Sequence, residues 1–180
     1  MNRLHFSVVE GMQPLSGEAV YVRGDHAFDF RPAYAAVARQ RAGELGTAAI
    51  ALDTLQLEVG VETGLCLWVS GYSPVTGWMS RAVVAPPVQH GGLQCNVDGG
   101  LQRGVSVRAM VGQPTRYFDP STGWFCATTT EAWLSAGEGA VEVATDTIVL
   151  VGEDQLLAIF VRPSNWHELA QTFQAEAAAP

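Results

Sequence analysis

Leu55-Gln56-Leu57-Glu58-Val59-Gly60-Val61-Glu62, followed almost at once by Gly64-Leu65-Cys66-Leu67-Trp68-Val69-Ser70, decides the fold class. The first run alternates apolar and polar residues. Side chains of a strand point to opposite faces with period two, so this run reads as a half-buried strand. The second run is apolar at both parities and belongs in the middle of a sheet, covered on both faces. Residues 105–111 alternate like the first run. Residues 93–97 and 101–111 flank Asp98-Gly99-Gly100, and Thr147–Val151 and Leu156–Val161 flank Gly152-Glu153-Asp154. Glycine takes positive φ at little cost, so each triplet reads as the turn of a hairpin. Strands thus recur at short spacing between residues 48 and 162.

Two helical patterns bracket the strands. The first starts near Pro32, whose missing N–H suits a first helical turn. It puts Tyr34, Val37, Ala38 and Leu45 on one face and stops at Gly46. The second spans residues 165–174, with Trp166, Leu169, Ala170 and Phe173 at i, i+3, i+4 and i+7. Ser164 or Asn165 is its expected N-cap, and Glu168 complements the helix dipole. A short third helix is expected over 131–136. The predicted class is α+β: a mostly antiparallel, strongly curved sheet with one helix near the N-terminus and one at the C-terminus. A chain of 180 residues buries about 70% of its unfolded surface, enough for one domain over 1–180 with a fraying tail at 175–180.

The charge inventory closes several functional classes. All ten basic residues are arginine. Without lysine there is no Schiff-base lysine and no Gly-Lys-Ser/Thr phosphate loop. A net charge of −8 opposes sequence-independent nucleic-acid binding, which needs basic groups to displace counterions. Cys66, Cys95 and Cys126 are odd in number and widely spaced, so no disulfide framework is expected and a reducing compartment is the simpler reading. The N-terminus lacks a signal-peptide pattern and the apolar runs are too short to span a bilayer, which makes cytoplasmic the expected location with no membrane partner. The absence of lysine, with only three isoleucines and three asparagines, fits a GC-rich bacterial genome.

Three constellations compete for function. His90, Cys95 and Asp98 lie within nine positions and offer a base, a thiol and an orienting carboxylate. His90 and Cys95 are separated by an odd number of residues, however, and would point to opposite faces of a strand. The pair is therefore a weak catalytic candidate, and packing is the favoured role for Cys95. Asp25, His26 and Asp29 offer oxygen and nitrogen donors but have no second ligand pair at metal spacing, so neither metal nor other cofactor is expected. Pro74-Val75-Thr76-Gly77-Trp78 and Pro120-Ser121-Thr122-Gly123-Trp124 repeat one pattern 46 residues apart. Each reads as a proline-initiated turn with a left-handed glycine, opening a hairpin. Tyr72, Trp78, Tyr117 and Trp124 beside these turns are the candidate lining of an aromatic pocket between sheet and helix.

Charge placement is the strongest lead. Residues 1–60 carry seven acids and five arginines, and residues 61–120 carry three and four. Residues 121–180 carry eight acids against Arg162 alone. Such a concentration steers a basic partner toward one face. The leading expectation is therefore a non-enzymatic protein-binding module, such as an immunity protein neutralising a basic toxin. Glu138, Glu142, Asp146, Glu153 and Asp154 are its contact residues and Trp133 its apolar anchor. The rival is a small-molecule-binding protein or enzyme using the aromatic pocket.

Overall fold

The computed structural model describes residues 3–109, 113–131, 139–152 and 155–177. The chain runs β1 (Leu4–Val9), β2 (Gly17–Val22), β3 (Ala27–Pro32), α1 (Ala35–Ala42), β4 (Thr47–Leu52), β5 (Leu55–Gly60) and β6 (Cys66–Tyr72). It continues with β7 (Met79–Ser80), β8 (Gly92–Val97), β9 (Ser106–Arg108), β10 (Thr115–Phe118) and β11 (Phe125–Thr128). β12 (Ala140–Ala144), β13 (Thr147–Val151), β14 (Leu156–Val161) and α2 (Trp166–Ala177) complete it. No described helix is long and apolar enough to cross a membrane.

The α+β class holds, with one helix near each end of the chain, but the expected single curved and mostly antiparallel sheet does not. Two six-stranded sheets form, ordered β2-β3-β6-β5-β4-β9 and β12-β13-β14-β11-β10-β7, beside a two-stranded ribbon β1-β8. Both large sheets are mixed, because β9 lies parallel to β4 and β7 parallel to β10. The β13–β14 hairpin folds as read, and β6 sits inside its sheet as its two-sided apolar pattern requires. Asp98-Gly99-Gly100 does turn the chain, with both glycines at positive φ, but joins no hairpin. β8 pairs with β1 instead, sending Leu93 and Cys95 into the core beside Leu4. The residues beyond the turn travel on to the edge at β4. A turn signal specifies a reversal and leaves the partner open.

The main core lies where the two sheets face each other. Ile50, Leu52, Leu55, Leu57 and Val69 from one meet Phe118, Phe125, Val149, Ile159 and Val161 from the other, and Leu169, Ala170 and Phe173 of α2 close the cluster. Each such Val, Leu, Ile or Phe side chain contributes roughly 1.5–3 kcal/mol on burial. The second sheet is also covered on its outer face. Residues 81–89 run across it as an extended strap, from Arg81 N–H on Phe118 O (3.2 Å) to Gln89 N–H on Ala140 O (2.8 Å). Val83, Ala85 and Val88 of the strap pack on Tyr117, Ile148, Leu150 and Phe160. Double coverage explains why all five residues of β13 are buried.

α1 differs from its reading. Pro32 stays in β3, and the helix ends at Gly43 (φ 82°) rather than Gly46. Its buried face is Ala38 and Ala42, leaving Tyr34, Val37 and Leu45 exposed. Small residues win this contact because the backbones touch: a Cβ on Gly60 of β5 would lie 2.8 Å from Ala42 O. The third expected helix lies, apart from Glu131, outside the described residues. The two Pro-x-Thr-Gly-Trp segments also diverge. Gly123 takes φ 81° in the β10–β11 turn, whereas Gly77 closes a 3₁₀ turn without positive φ and leads into β7, which forms no hairpin.

Candidate functional site

β2 is the edge strand of its sheet, and the segment entering α2 seals it. Asn165 Oδ1 accepts the N–H of Tyr21 (3.0 Å) while its Nδ2 donates to Tyr21 O (2.8 Å). The Ser164 N–H donates to Ala19 O (2.7 Å), and Thr145 Oγ1 accepts the N–H of Gly17 (3.2 Å). Asn165 thus stands in for a residue of a neighbouring strand, which overrides its expected use as an N-cap. Edge protection of this kind removes the hazard of an open strand, and it fixes α2 against β2.

A cleft of about 420 Å³ opens between α2 and the tip of the β2–β3 hairpin. Tyr21 and Leu169 give it apolar surface, and Arg23, Glu168, Gln171 and Thr172 provide polar groups. The Tyr21 hydroxyl donates to Ser73 O (2.9 Å), and burial followed by the nearby Glu176 charge pushes its pKa up to about 12. Behind it sits Trp78, edge-on at 5.3 Å and ringed by Phe28, Phe118, Phe125 and Phe173. The Trp78 indole N–H donates to Ser73 Oγ (2.9 Å). Fully buried Ser73 therefore satisfies the polar tips of both aromatics, as buried polar groups require. The cleft floor is the outer layer of the aromatic core.

The candidate aromatic pocket is not assembled. Trp78 is core. Tyr72 is half exposed, edge-on to His26 at 6.3 Å. Tyr117 and Trp124 lie in the strap-covered cluster on the far side of the second sheet, with the Arg81 guanidinium 5.1 Å from the Tyr117 ring. Strand parity is the reason: Tyr117 and Phe118 are consecutive in β10, so Phe118 faces Trp78 and Tyr117 faces away.

The weak catalytic pair is not brought together either. Cys95 is fully buried, and burial pushes its thiol up to about 12; its Sγ lies 3.9 Å from Asn96 O. His90 is exposed, and among the described residues no hydrogen bond joins the two. Burial raises the Cys66 and Cys126 thiols as well. Among the described residues, no three His, Cys, Asp or Glu side chains cluster as a metal site requires.

Of the nominated partner contacts, Glu138, Glu153, Asp154 and Trp133 lie outside the described residues. Glu142 and Asp146 are half-buried at the β12–β13 turn, where Glu142 Oε1 accepts the N–H of Asp146 (3.0 Å). The Arg162 N–H donates to Asp146 O (2.9 Å), which places this turn beside the segment leading into α2. Sequence reasoning missed Ser73 and Asp119 and read Asn165 only as a cap. Asp119 Oδ1 accepts from Ser121 N–H (2.9 Å) and Oγ (2.6 Å), and Oδ2 from the Val83 N–H of the strap (3.1 Å). Burial pushes the Asp119 carboxyl up, but the hydrogen bonds from Ser121, Val83 and Thr122 prevail and hold it below the usual range. Asp119-Pro120-Ser121 carried a local signal for such a turn. Asn165 and Ser73 carried none, because their partners are remote or chosen by packing.

No protein-family model, no curated protein and no solved structure matches this chain.

Proposed function

We propose that the protein is a non-enzymatic binding module for a basic protein partner, such as a toxin that it inhibits in the cytoplasm. The observation that carries this reading is the cleft on α2. Glu168 and Arg23 are the charged residues lining the cleft; α2 holds no arginine and carries a second exposed carboxylate, Glu176, next in sequence to Ala175 of the lining. Carboxylates beside a concave, partly apolar surface favour an arginine or lysine of a partner as the central anchor. Glu142 and Asp146, at the β12–β13 turn beside Arg162, belong to the same proposed surface. Glu138, Glu153, Asp154 and Trp133, outside the described residues, are proposed as contacts from their charge and side-chain chemistry alone. The field speeds encounter more than it deepens affinity.

The test is capture from an extract of the source organism with the immobilised protein. A stoichiometric basic protein should be retained, its association should slow with added salt, and Glu168→Lys with Glu176→Lys should slow it at least about tenfold. Capture of nothing, or capture indifferent to the reversal, overturns the reading. The cleft volume favours one second reading, since small-molecule sites fall at roughly 300–1,000 Å³. In that case a small organic cation should raise the melting temperature of the wild type and leave the reversed variant unchanged.

A further inference from the structure

The cleft between α2 and the β2–β3 hairpin holds charges of both signs that the fold does not consume. Arg23 and Glu168 both line it and both are exposed. Among the described residues neither makes an ion pair, with the other or with a third group. Arginines that serve the structure differ in this respect. Arg116 donates to Asp53 (2.7 Å), and the Arg81 guanidinium lies 3.6 Å from the Glu131 carboxylate.

Glu168, Gln171, Thr172 and Ala175 recur at i, i+3, i+4 and i+7, so one face of α2 forms a wall of the cleft. Several polar groups of the lining are already committed. The Thr172 hydroxyl donates to Glu168 O (3.1 Å) within the helix, Asn165 is held by the Tyr21 backbone, and the Tyr21 hydroxyl donates to Ser73 O. Glu168, Gln171 and Arg23 remain for a ligand. Glu176, one residue past the wall, stands near enough to the Tyr21 hydroxyl to help raise its pKa. It lies two turns beyond Glu168, about 12 Å along the helix axis.

We propose that the cleft binds a free basic amino acid of the arginine type, its guanidinium on Glu168, its α-carboxylate on Arg23, and Glu176 complementing its α-ammonium. This inference rests on the small-molecule reading of the cleft and names the ligand class. Charge selects it. The two carboxylates and one guanidinium of the site mirror the two cations and one carboxylate of the ligand. A purely cationic ligand would face Arg23 unmatched, and an amino acid with a neutral side chain would leave Glu168 unmatched. A carboxylate takes a guanidinium through two parallel hydrogen bonds. Tyr21, Leu169 and Ala175 offer the aliphatic stem apolar surface, and about 420 Å³ accommodates a ligand of this size.

Calorimetric titration of the full chain, backed by melting temperature, tests this with four probes. L-arginine should bind. Agmatine lacks the carboxylate, citrulline lacks the side-chain charge, and Nα-acetylarginine lacks the α-ammonium, as the end of a protein chain does. Each should bind at least about tenfold more weakly, the loss of one charge-assisted contact. Arg23→Gln should bring L-arginine down to the level of agmatine, and Glu168→Gln should bring it down to citrulline. Agmatine binding as tightly as L-arginine to the wild type, with no effect of Arg23→Gln, overturns the proposal and leaves a plain cation site standing. No binding by any probe removes the small-molecule reading as well. Nα-acetylarginine equal to L-arginine overturns the free ligand in favour of a protein C-terminus.

Discussion

β2 and β1 are both six-residue edge strands, and the chain treats them in opposite ways. β2 gives backbone groups of Gly17, Ala19 and Tyr21 to side chains and main chain from residues 145, 164 and 165. β1 takes no such seal from residues 145, 164 and 165 and pairs with β8 alone among the described residues, with Val8 38% exposed and Leu4 buried. The sealed edge is the one that docks a helix, backs onto the aromatic core and forms a cleft. β1 belongs to a two-stranded ribbon with charged groups at its ends: exposed Arg3 and Glu10, and Asp98, whose Oδ1 lies 3.5 Å from His5 Nε2. An edge is closed here where it must position something.

If the sealed side carries the stability, disturbing its base should be far worse than disturbing β1. Trp78→Ala empties the space between Tyr21, Phe28, Phe118, Phe125 and Phe173 and strands the Ser73 hydroxyl. It should cost roughly 3–5 kcal/mol in urea unfolding. Val8→Lys, at an exposed position of β1, should stay within about 0.5 kcal/mol. Comparable costs for the two would break the contrast.

A finer cut removes the seal and leaves the core intact. Asn165→Leu keeps the approximate volume but leaves the Tyr21 N–H and C=O without their partner, costing about 1–3 kcal/mol. Hydrogen exchange at the Tyr21 amide should accelerate together with that loss. Asn165→Asp retains an acceptor for the N–H and sets a carboxylate against the carbonyl, so it should protect the amide and still lose stability. Unaltered exchange in Asn165→Leu would mean that β2 needs no seal.

Asn165 also shows where legibility ends. β5, β6 and the β13–β14 hairpin could be read because period and turn chemistry are local, and α2 because Leu169, Ala170 and Phe173 repeat at helical spacing. The β1–β8, β4–β9 and β7–β10 pairings could not, since each partner lies tens of residues away and nothing in either strand names the other. The Asn165–Tyr21 pairing spans 144 positions, and a polar residue before a helix has a commoner local use as a cap. The site was legible only through α2, whose acids were counted and whose apolar stripe was seen. Tyr21, on the opposing hairpin, passed unmarked. The four aromatics were grouped by their proximity to similar turns, and strand parity then sent them to different faces.

The smallest effect separates two seals of different chemistry. Asn165 closes its edge with a neutral amide, and the seam it makes does not titrate. Asp119 holds the strap through an ionised carboxylate, with Val83 and Ser121 as donors. Its folded pKa lies below the ordinary 3.8, so its contribution is fully present above that value and drains away as pH falls through the folded pKa. Asp119→Asn should therefore cost about 1 kcal/mol at neutral pH and flatten the acid limb of the stability curve. Asn165→Leu should lower the whole curve without changing its shape. Because Asp119 touches the strap and Asn165 does not, acid should loosen the outer cover of the second sheet before the α2–β2 seam, with Val83 losing exchange protection ahead of Tyr21. The reverse order would show that the strap is held by its apolar contacts alone.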